Sequence, residues 1–201
     1  KYYKADAGIV ISASHNTFEY NGIKFFNGEG YKLDDDIEEE IEDIIISSID
    51  ANSHITGELI GRCLDASEDA AELYAAHLLE TVDFRLDGIK VALDCANGAS
   101  YRIAPKVYEA LGAEVIVTGN EPNGININDG CGSTHPEKLS GLVQKTGAHV
   151  GLAFDGDADR LIVVDEKGNV IDGDRVIAIC ARMLKEQGRL AENKATVTVM
   201  S

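Results

Sequence analysis

Two hundred and one residues, 44% of them hydrophobic, with 18 Lys+Arg against 35 Asp+Glu, carry enough apolar material for a core and too modest a charge imbalance for disorder. The formal net charge of −17 argues against nucleic acid and anionic membrane surfaces, both of which are bound through Lys and Arg, so a phosphate ester would need a local positive patch or a metal. No run approaches the roughly 18 apolar residues of a bilayer span and no signal-peptide core opens the chain, which makes the cytoplasm the expected compartment.

Gly8–Ile11 reads as a buried strand that runs into the polar turn Ser12-Ala13-Ser14-His15-Asn16, and Gly22–Phe26 reads as a second strand. Asp34-Asp35-Asp36 reads as a helix start rather than a metal site, because Ile37, Ile41, Ile44 and Ile45 follow at helical spacing and acids suit the positive helix end. Residues 49–65 are irregular, and a helix is expected over 66–82, with Leu73, Tyr74, His77 and Leu78 on one face and His77 packed. Domain boundaries are placed after 66 and after 170.

Strand Ile89–Leu93, helix Tyr101–Leu111 closed by Gly112, and strand Glu114–Val117 form a βαβ unit and imply parallel pairing. A long Asn/Gly loop, Gly119–His135, precedes a helix from Pro136 to about Thr146; loops of this length are usually functional or disordered. Strands His149–Phe154 and Leu161–Val164, a return at Glu166–Asn169, helix Val176–Gln187 and a strand over Thr196–Met200 complete the pattern. The expected class is α/β, with mixed, mostly parallel sheets flanked by helices. Cys63, Cys95, Cys131 and Cys180 are too widely spaced for a CxxC pair and read as reduced, mostly packed thiols. The chain opens without Met and stops in strand-like sequence, so it is expected to be cut from something longer.

Chemistry concentrates in two segments. Asp155-Gly156-Asp157-Ala158-Asp159-Arg160 sets three carboxylates at alternate positions between two apolar strands, an oxygen-donor set suited to Mg²⁺, with Arg160 beside it suited to a phosphate. An EF-hand also begins D-x-D-x-D, but Arg160 stands where its sharp turn needs Gly. A solvated acidic turn, an aspartate-nucleophile phosphatase and a metal-binding domain without catalysis remain alternatives. In Ser12–Asn16 the adjacent Ser14 and His15 point to opposite sides of extended backbone, which does not suit a hydrolase triad. It does suit a serine that carries a phosphoryl group, with His15 and Lys24 supplying charge and proton transfer. An ordinary Ser/Asn turn is the competing account. Asp94 and Asn97-Gly98 are read as cap or turn residues, while His54, His77, His135 and His149 share no ligand spacing.

Taken together, Ile11–Asn16, Asn21-Gly22-Ile23-Lys24 and Asp155–Arg160 resemble the α-D-phosphohexomutases, and Asn126–His135 resembles the branch of that family acting on glucosamine phosphates. The resemblance runs over nearly the whole chain. It implies repeated domains of one type: 1–66 as the end of the first, with the phosphoserine loop, 67–170 as the second, with the metal loop, and 171–201 as the start of a third. It further implies that Ser14 is phosphorylated and sits on one Mg²⁺ held by Asp155, Asp157 and Asp159. Lys24 is then a general acid/base, and His15 and Arg160 contact the phosphoserine. The implied reaction interconverts glucosamine 6-phosphate and glucosamine 1-phosphate through a hexose 1,6-bisphosphate, which also serves as activator; mannose or glucose phosphates are the alternative substrates. A phosphosugar is the implied partner, and members often form homodimers. The isolated chain, lacking the later sugar- and phosphate-binding loops, is expected to be inactive. Thr17 stands where the family usually has Pro, which leaves the turn less stiff without removing a chemical group.

Overall fold

The computed structural model describes residues 2–47 and 57–197. Packing divides the chain into two compact units, Lys1–Ser12 with Asn21–Asp69, and Ala13–Tyr20 with Ala70–Ser201. The serine loop therefore groups with the second unit, although both strands that flank it in sequence belong to the first.

In the first unit, β1 (Ala7–Ser12) and β2 (Gly22–Asn27) pair antiparallel, with Ala7 opposite Asn27 and Ser12 opposite Gly22. Helix α1 (Asp35–Ile46) follows, and Asp34 precedes it in extended backbone, its carbonyl accepting from Ile37 and Glu38 N–H. Asp35, Asp36 and Glu38 lie in its first turn, as expected of acids at a helix N-terminus.

The second unit is a five-stranded sheet with helices on both faces. Helix α2 (Ser67–Glu80) leads into β3 (Lys90–Asp94), α3 (Ile103–Ala110), β4 (Glu114–Thr118), α4 (Glu137–Thr146) and β5 (Val150–Phe154). The antiparallel strands β6 (Leu161–Asp165) and β7 (Val170–Ile171) and helix α5 (Gly173–Glu186) come next. The sheet order is β4-β3-β5-β6-β7; β3 pairs parallel with β4 and β5, and the remaining two pairings are antiparallel. The sheet is thus mixed, with its parallel half generated by the two crossover helices and its antiparallel half by the Asp155–Arg160 loop between β5 and β6 and the tight return at Glu166–Asn169 between β6 and β7.

Strand alternation sorts the core onto the two faces. Val91, Leu93 and Leu152 pack with Ala104 of α3, and Ala92, Ala153 and Val164 pack with Leu139 and Val143 of α4. Gly151 permits the close seating of α4, since a Cβ there would lie 2.7 Å from Val143 Cγ2 and 3.0 Å from Leu139 Cγ.

Several expectations shift. On α2 the buried residue is Ala75, whereas Tyr74 is 53% exposed and His77 is exposed, so His77 is not packed. Helix α5 begins three residues ahead of Val176, because Asp172 caps it by accepting the Arg175 N–H at 2.9 Å. Thr196 and Val197 are not in a strand, and the rest of the expected final strand lies outside the described residues, as does His54. Two of the four cysteines are packed: Cys95 and Cys131 are buried, while Cys63 and Cys180 are exposed.

Burial pushes the Cys95 and Cys131 thiols up to about 11. At pH 8 such a thiol is only roughly one part in a thousand thiolate, the reactive form. Iodoacetamide at pH 8 is therefore expected to label Cys63 and Cys180 and to spare Cys95 and Cys131, with all four labelled in urea; peptide mapping by mass spectrometry reads the result.

Candidate functional site

The parallel strands β4, β3 and β5 lie side by side and end at one edge of the sheet, where ligands of α/β folds are held by the loops beyond the strands. Four loops of the second unit meet here: the serine loop Ala13–Tyr20, the loop after Asp94, the Gly119–His135 loop and Asp155–Arg160.

Asp94 ties two of them. Its side chain is fully buried, Oδ1 accepting the Ala96 N–H at 3.0 Å and Oδ2 the Gly132 N–H at 2.8 Å. Asn97 ties the long loop again, donating Nδ2–H to the Asn126 carbonyl at 3.2 Å and accepting the Glu121 N–H at 3.1 Å. Asp94 is a turn group through its Ala96 bond, as its sequence setting implied, whereas neither residue caps α3, which starts at Ile103, and Asn97 is spent on the long loop instead.

The Asp155 loop lies against the serine loop at backbone distance. A Cβ on Gly156 would lie 2.5 Å from the Ser14 carbonyl oxygen and 2.8 Å from Asn128 Nδ2, so only glycine fits. Asn128 completes the junction: its Nδ2 donates to the Ser14 carbonyl at 2.8 Å and to the Asn16 carbonyl at 2.8 Å. Ser14 is half-buried with φ 52°, and its Oγ hydrogen-bonds with His15 Nδ1 at 3.3 Å. Thr17 accepts the Tyr20 N–H on its carbonyl at 3.0 Å. The Thr17 hydroxyl beside Glu19 holds that carboxyl below the usual carboxylate range, an interaction that proline could not make.

Asp155 is fully buried, Asp157 half-buried and Asp159 exposed. Asp155 Oδ1 accepts the Arg160 N–H at 3.2 Å; Oδ2 has no hydrogen-bond partner among the described residues, and the Arg160 Nε stands 3.9 Å from it. Burial pushes the Asp155 carboxyl above the usual carboxylate range, the Arg160 N–H draws it back, and the neighbouring Asp159 and Asp157 push it up further. Among the described residues no three His, Cys, Asp or Glu side chains converge as a finished metal cage. The donor set nonetheless fits a hard dication: three neighbouring carboxylates, one with a buried oxygen that no hydrogen bond meets among the described residues.

Of the residues expected at the site, Ser14, His15, Asp155, Asp157, Asp159 and Arg160 all belong to the second unit. Lys24 belongs to the first, exposed on β2 opposite Val10. Asn128 and Gly156 carry roles that sequence spacing did not reveal, since their partners lie more than a hundred residues away.

Five of the eight non-glycine residues with positive φ among the described residues lie in these loops: Ser14, Ala96, Asn97, Asn128 and Ala158. Backbone strain of this kind, of order 1–3 kcal/mol each, gathers at functional sites.

Comparison with known proteins points the same way. Residues 1–51 match the phosphoglucomutase/phosphomannomutase α/β/α domain I model, and residues 72–168 match the domain II model. Phosphoglucosamine mutase of Clostridium novyi is 55% identical over 99% of this chain, and that of Acetivibrio thermocellus 54% identical over all of it. The chain spans 44% of the length of each. A phosphoglucomutase/phosphomannomutase family protein from Burkholderia thailandensis superposes with TM-score 0.67 at 29% identity, over 91% of this chain and 39% of that one. Aspergillus fumigatus N-acetylphosphoglucosamine mutase, solved with GlcNAc-6P and magnesium, matches with TM-score 0.57 over 92% of this chain and 50% of that one. At 16% identity the second likeness is one of fold.

Asp94→Ala would leave two buried N–H donors unsatisfied, each worth about 1–3 kcal/mol. The variant is expected to lose about 2–6 kcal/mol of stability in urea titrations, and Asp94→Asn, which keeps one acceptor, to lose less.

Proposed function

The chain belongs to the phosphoglucomutase/phosphomannomutase family, and on that premise we propose that it is the portion of a phosphoglucosamine mutase that carries the phosphoryl donor and the metal loop. The observation that carries the reading is the seating of the Ser14 carbonyl against Gly156, which puts a strained serine loop directly on the Asp155–Arg160 loop. In domain terms, 1–66 belong to the first family domain, 67–170 to the second and 171–201 to a third.

Ser14 Oγ carries the phosphoryl group. Transfer breaks the bond between phosphorus and Ser14 Oγ as a hydroxyl oxygen of glucosamine 6-phosphate bonds to phosphorus, and the hydroxyl proton goes to a base. Lys24 is the assigned acid/base. The hexose bisphosphate then returns its other phosphate to Ser14, leaving glucosamine 1-phosphate. Asp155, Asp157 and Asp159 would hold Mg²⁺, which when bound offsets phosphate charge as a Lewis acid. Arg160, exposed, would meet phosphate oxygens, while its backbone N–H donates to Asp155. His15, hydrogen-bonded to Ser14 Oγ, would orient the serine and add positive charge when protonated. The glucosamine preference rests on the relatives at 54–55% identity, and a cytoplasmic location and a homodimer accompany the same reading.

Three outcomes test this. Tandem mass spectrometry of protein from a bacterial host should find phosphate on Ser14; phosphate on Ser12 alone would overturn the assignment. Asp157→Asn in the complete protein, folded by circular dichroism, should cut turnover with glucosamine 6-phosphate by at least about 100-fold, since a Lewis-acid contribution of several kcal/mol is tenfold in rate per 1.36 kcal/mol. The 201-residue chain by itself should show no mutase turnover in a coupled assay with hexose bisphosphate, because it spans 44% of the relatives' length and transfer depends on holding donor and acceptor together.

A further inference from the structure

Asn128 lies in the Gly119–His135 loop, 3% exposed, and reaches across to the serine loop. Both Nδ2 hydrogens are spent on carbonyls that bracket His15, those of Ser14 and Asn16, each at 2.8 Å. The opposite side-chain oxygen, Oδ1, is buried and has no hydrogen-bond partner among the described residues. A flipped amide would set an oxygen against two carbonyl oxygens, so the chemistry of the partners fixes the orientation. A buried amide oxygen left unpaired is unfavourable, which means that the amide is aimed for the sake of the serine loop rather than for its own hydrogen bonding.

The loop it holds needs holding. Ser14 adopts φ 52°, a conformation that serine does not favour by itself, and its carbonyl sits hard against Gly156 of the carboxylate loop. Asn128 itself has φ 56°, which asparagine tolerates better than most residues and glycine tolerates best. Its backbone is anchored as well, the Asn128 N–H donating to the Ala96 carbonyl at 2.9 Å beside the Asp94 turn. The chain of contacts therefore runs from the sheet edge through Asn128 to the two peptide carbonyls around the serine.

We propose that Asn128 is a positioning residue for phosphoryl transfer: its side-chain amide fixes the Ser14 carbonyl, and with it the Ser14 hydroxyl, relative to Asp155–Arg160. The inference rests on Ser14 being the phosphoryl donor. Asn128 touches no reacting atom; it acts through the backbone of Ser14 and Asn16.

Two substitutions separate the amide from its backbone. Asn128→Gly keeps the left-handed conformation and removes the clamp, while Asn128→Asp keeps size and turn propensity and replaces the donor with a carboxylate oxygen facing two carbonyls. Each is made in the complete protein and assayed with glucosamine 6-phosphate. Single-turnover transfer from the phosphorylated enzyme is the decisive readout, because partial unfolding lowers its amplitude and leaves its rate constant alone. Both variants should lower that rate constant and kcat by roughly 10–100-fold, the range expected of a misplacement of about 1 Å, while KM stays within about threefold.

A wild-type rate constant in Asn128→Gly, whatever its amplitude, overturns the proposal. Ser14→Ala made in parallel keeps the two readings apart: if it turns over normally, the phosphoserine reading falls and takes the proposal with it. If Ser14→Ala is dead and Asn128→Gly transfers at the wild-type rate, the proposal alone falls. Should neither Asn128 variant fold, proton exchange of the Asn128 side-chain amide in the wild-type protein decides: protection supports the clamp, and exchange at the solvent rate overturns it.

Discussion

A buried carboxylate organises the sheet edge on which everything else depends. Asp94 ends β3, the strand between β4 and β5, and is wholly removed from water. Removing a charged carboxylate from solvent is costly unless its lone pairs are met. Here the backbone N–H groups of Ala96 and Gly132 meet them, and those two residues belong to different loops. The charge consequently stays buried only while both loops keep their places. The same negative charge adds to the effect of burial on the Cys95 and Cys131 thiols and keeps both protonated.

Asp155 occupies the corresponding end of β5, the neighbouring parallel strand, and is equally buried. The two acids nevertheless differ in one respect that separates structure from chemistry. Both oxygens of Asp94 accept protein N–H groups, whereas Asp155 has one such bond and an Oδ2 with no hydrogen-bond partner among the described residues, with Asp159 and Asp157 near enough to push its carboxyl up. A fold that needed only a turn at this point would gain by pairing or removing that oxygen. Its persistence next to two further carboxylates suits the proposed cation-binding role, and the Ser14 carbonyl packs on Gly156 of the same loop.

The parts of this arrangement legible in the sequence are those whose chemistry is local. Asp155–Arg160 declares itself by carboxylate spacing between two apolar strands, and the serine loop by its position after an apolar strand. Asp94 could be read as a cap from its place at a strand end. The β6–β7 return followed from Glu166–Asn169, whose carbonyls and N–H groups close on Asp165, with the Lys167 and Asn169 N–H groups donating to its side chain. Asn128 was not legible, because nothing near it in sequence marks a contact with a carbonyl 112 or 114 residues away. His77 misled for a related reason: helical periodicity identifies an apolar stripe, but the face that α2 buries is centred on Ala75, a residue with little hydrophobic signal of its own. The early start of α5 turned on a single Asp172 cap, which the apolar pattern alone passes over.

Strain and satisfaction are matched across the site. Left-handed backbone at Ser14, Ala96, Asn97, Asn128 and Ala158 is unfavourable residue by residue, and it persists only where the surroundings over-determine it. Much of that determination is visible: Asp94 on the Ala96 turn, Asn97 on the long loop, Asn128 on the serine loop, and glycine at 156 to admit the close approach. None of these side chains is a candidate for the reaction itself. Asp94 and Asn97 hold the long loop, and Asn128 in that loop holds the backbone around Ser14. For phosphoryl transfer, in which positioning and charge stabilisation supply nearly all of the catalysis, such holding is the contribution the scaffold can make. On the proposed reading, the sheet edge would serve phosphoryl transfer through residues whose own chemistry is purely structural.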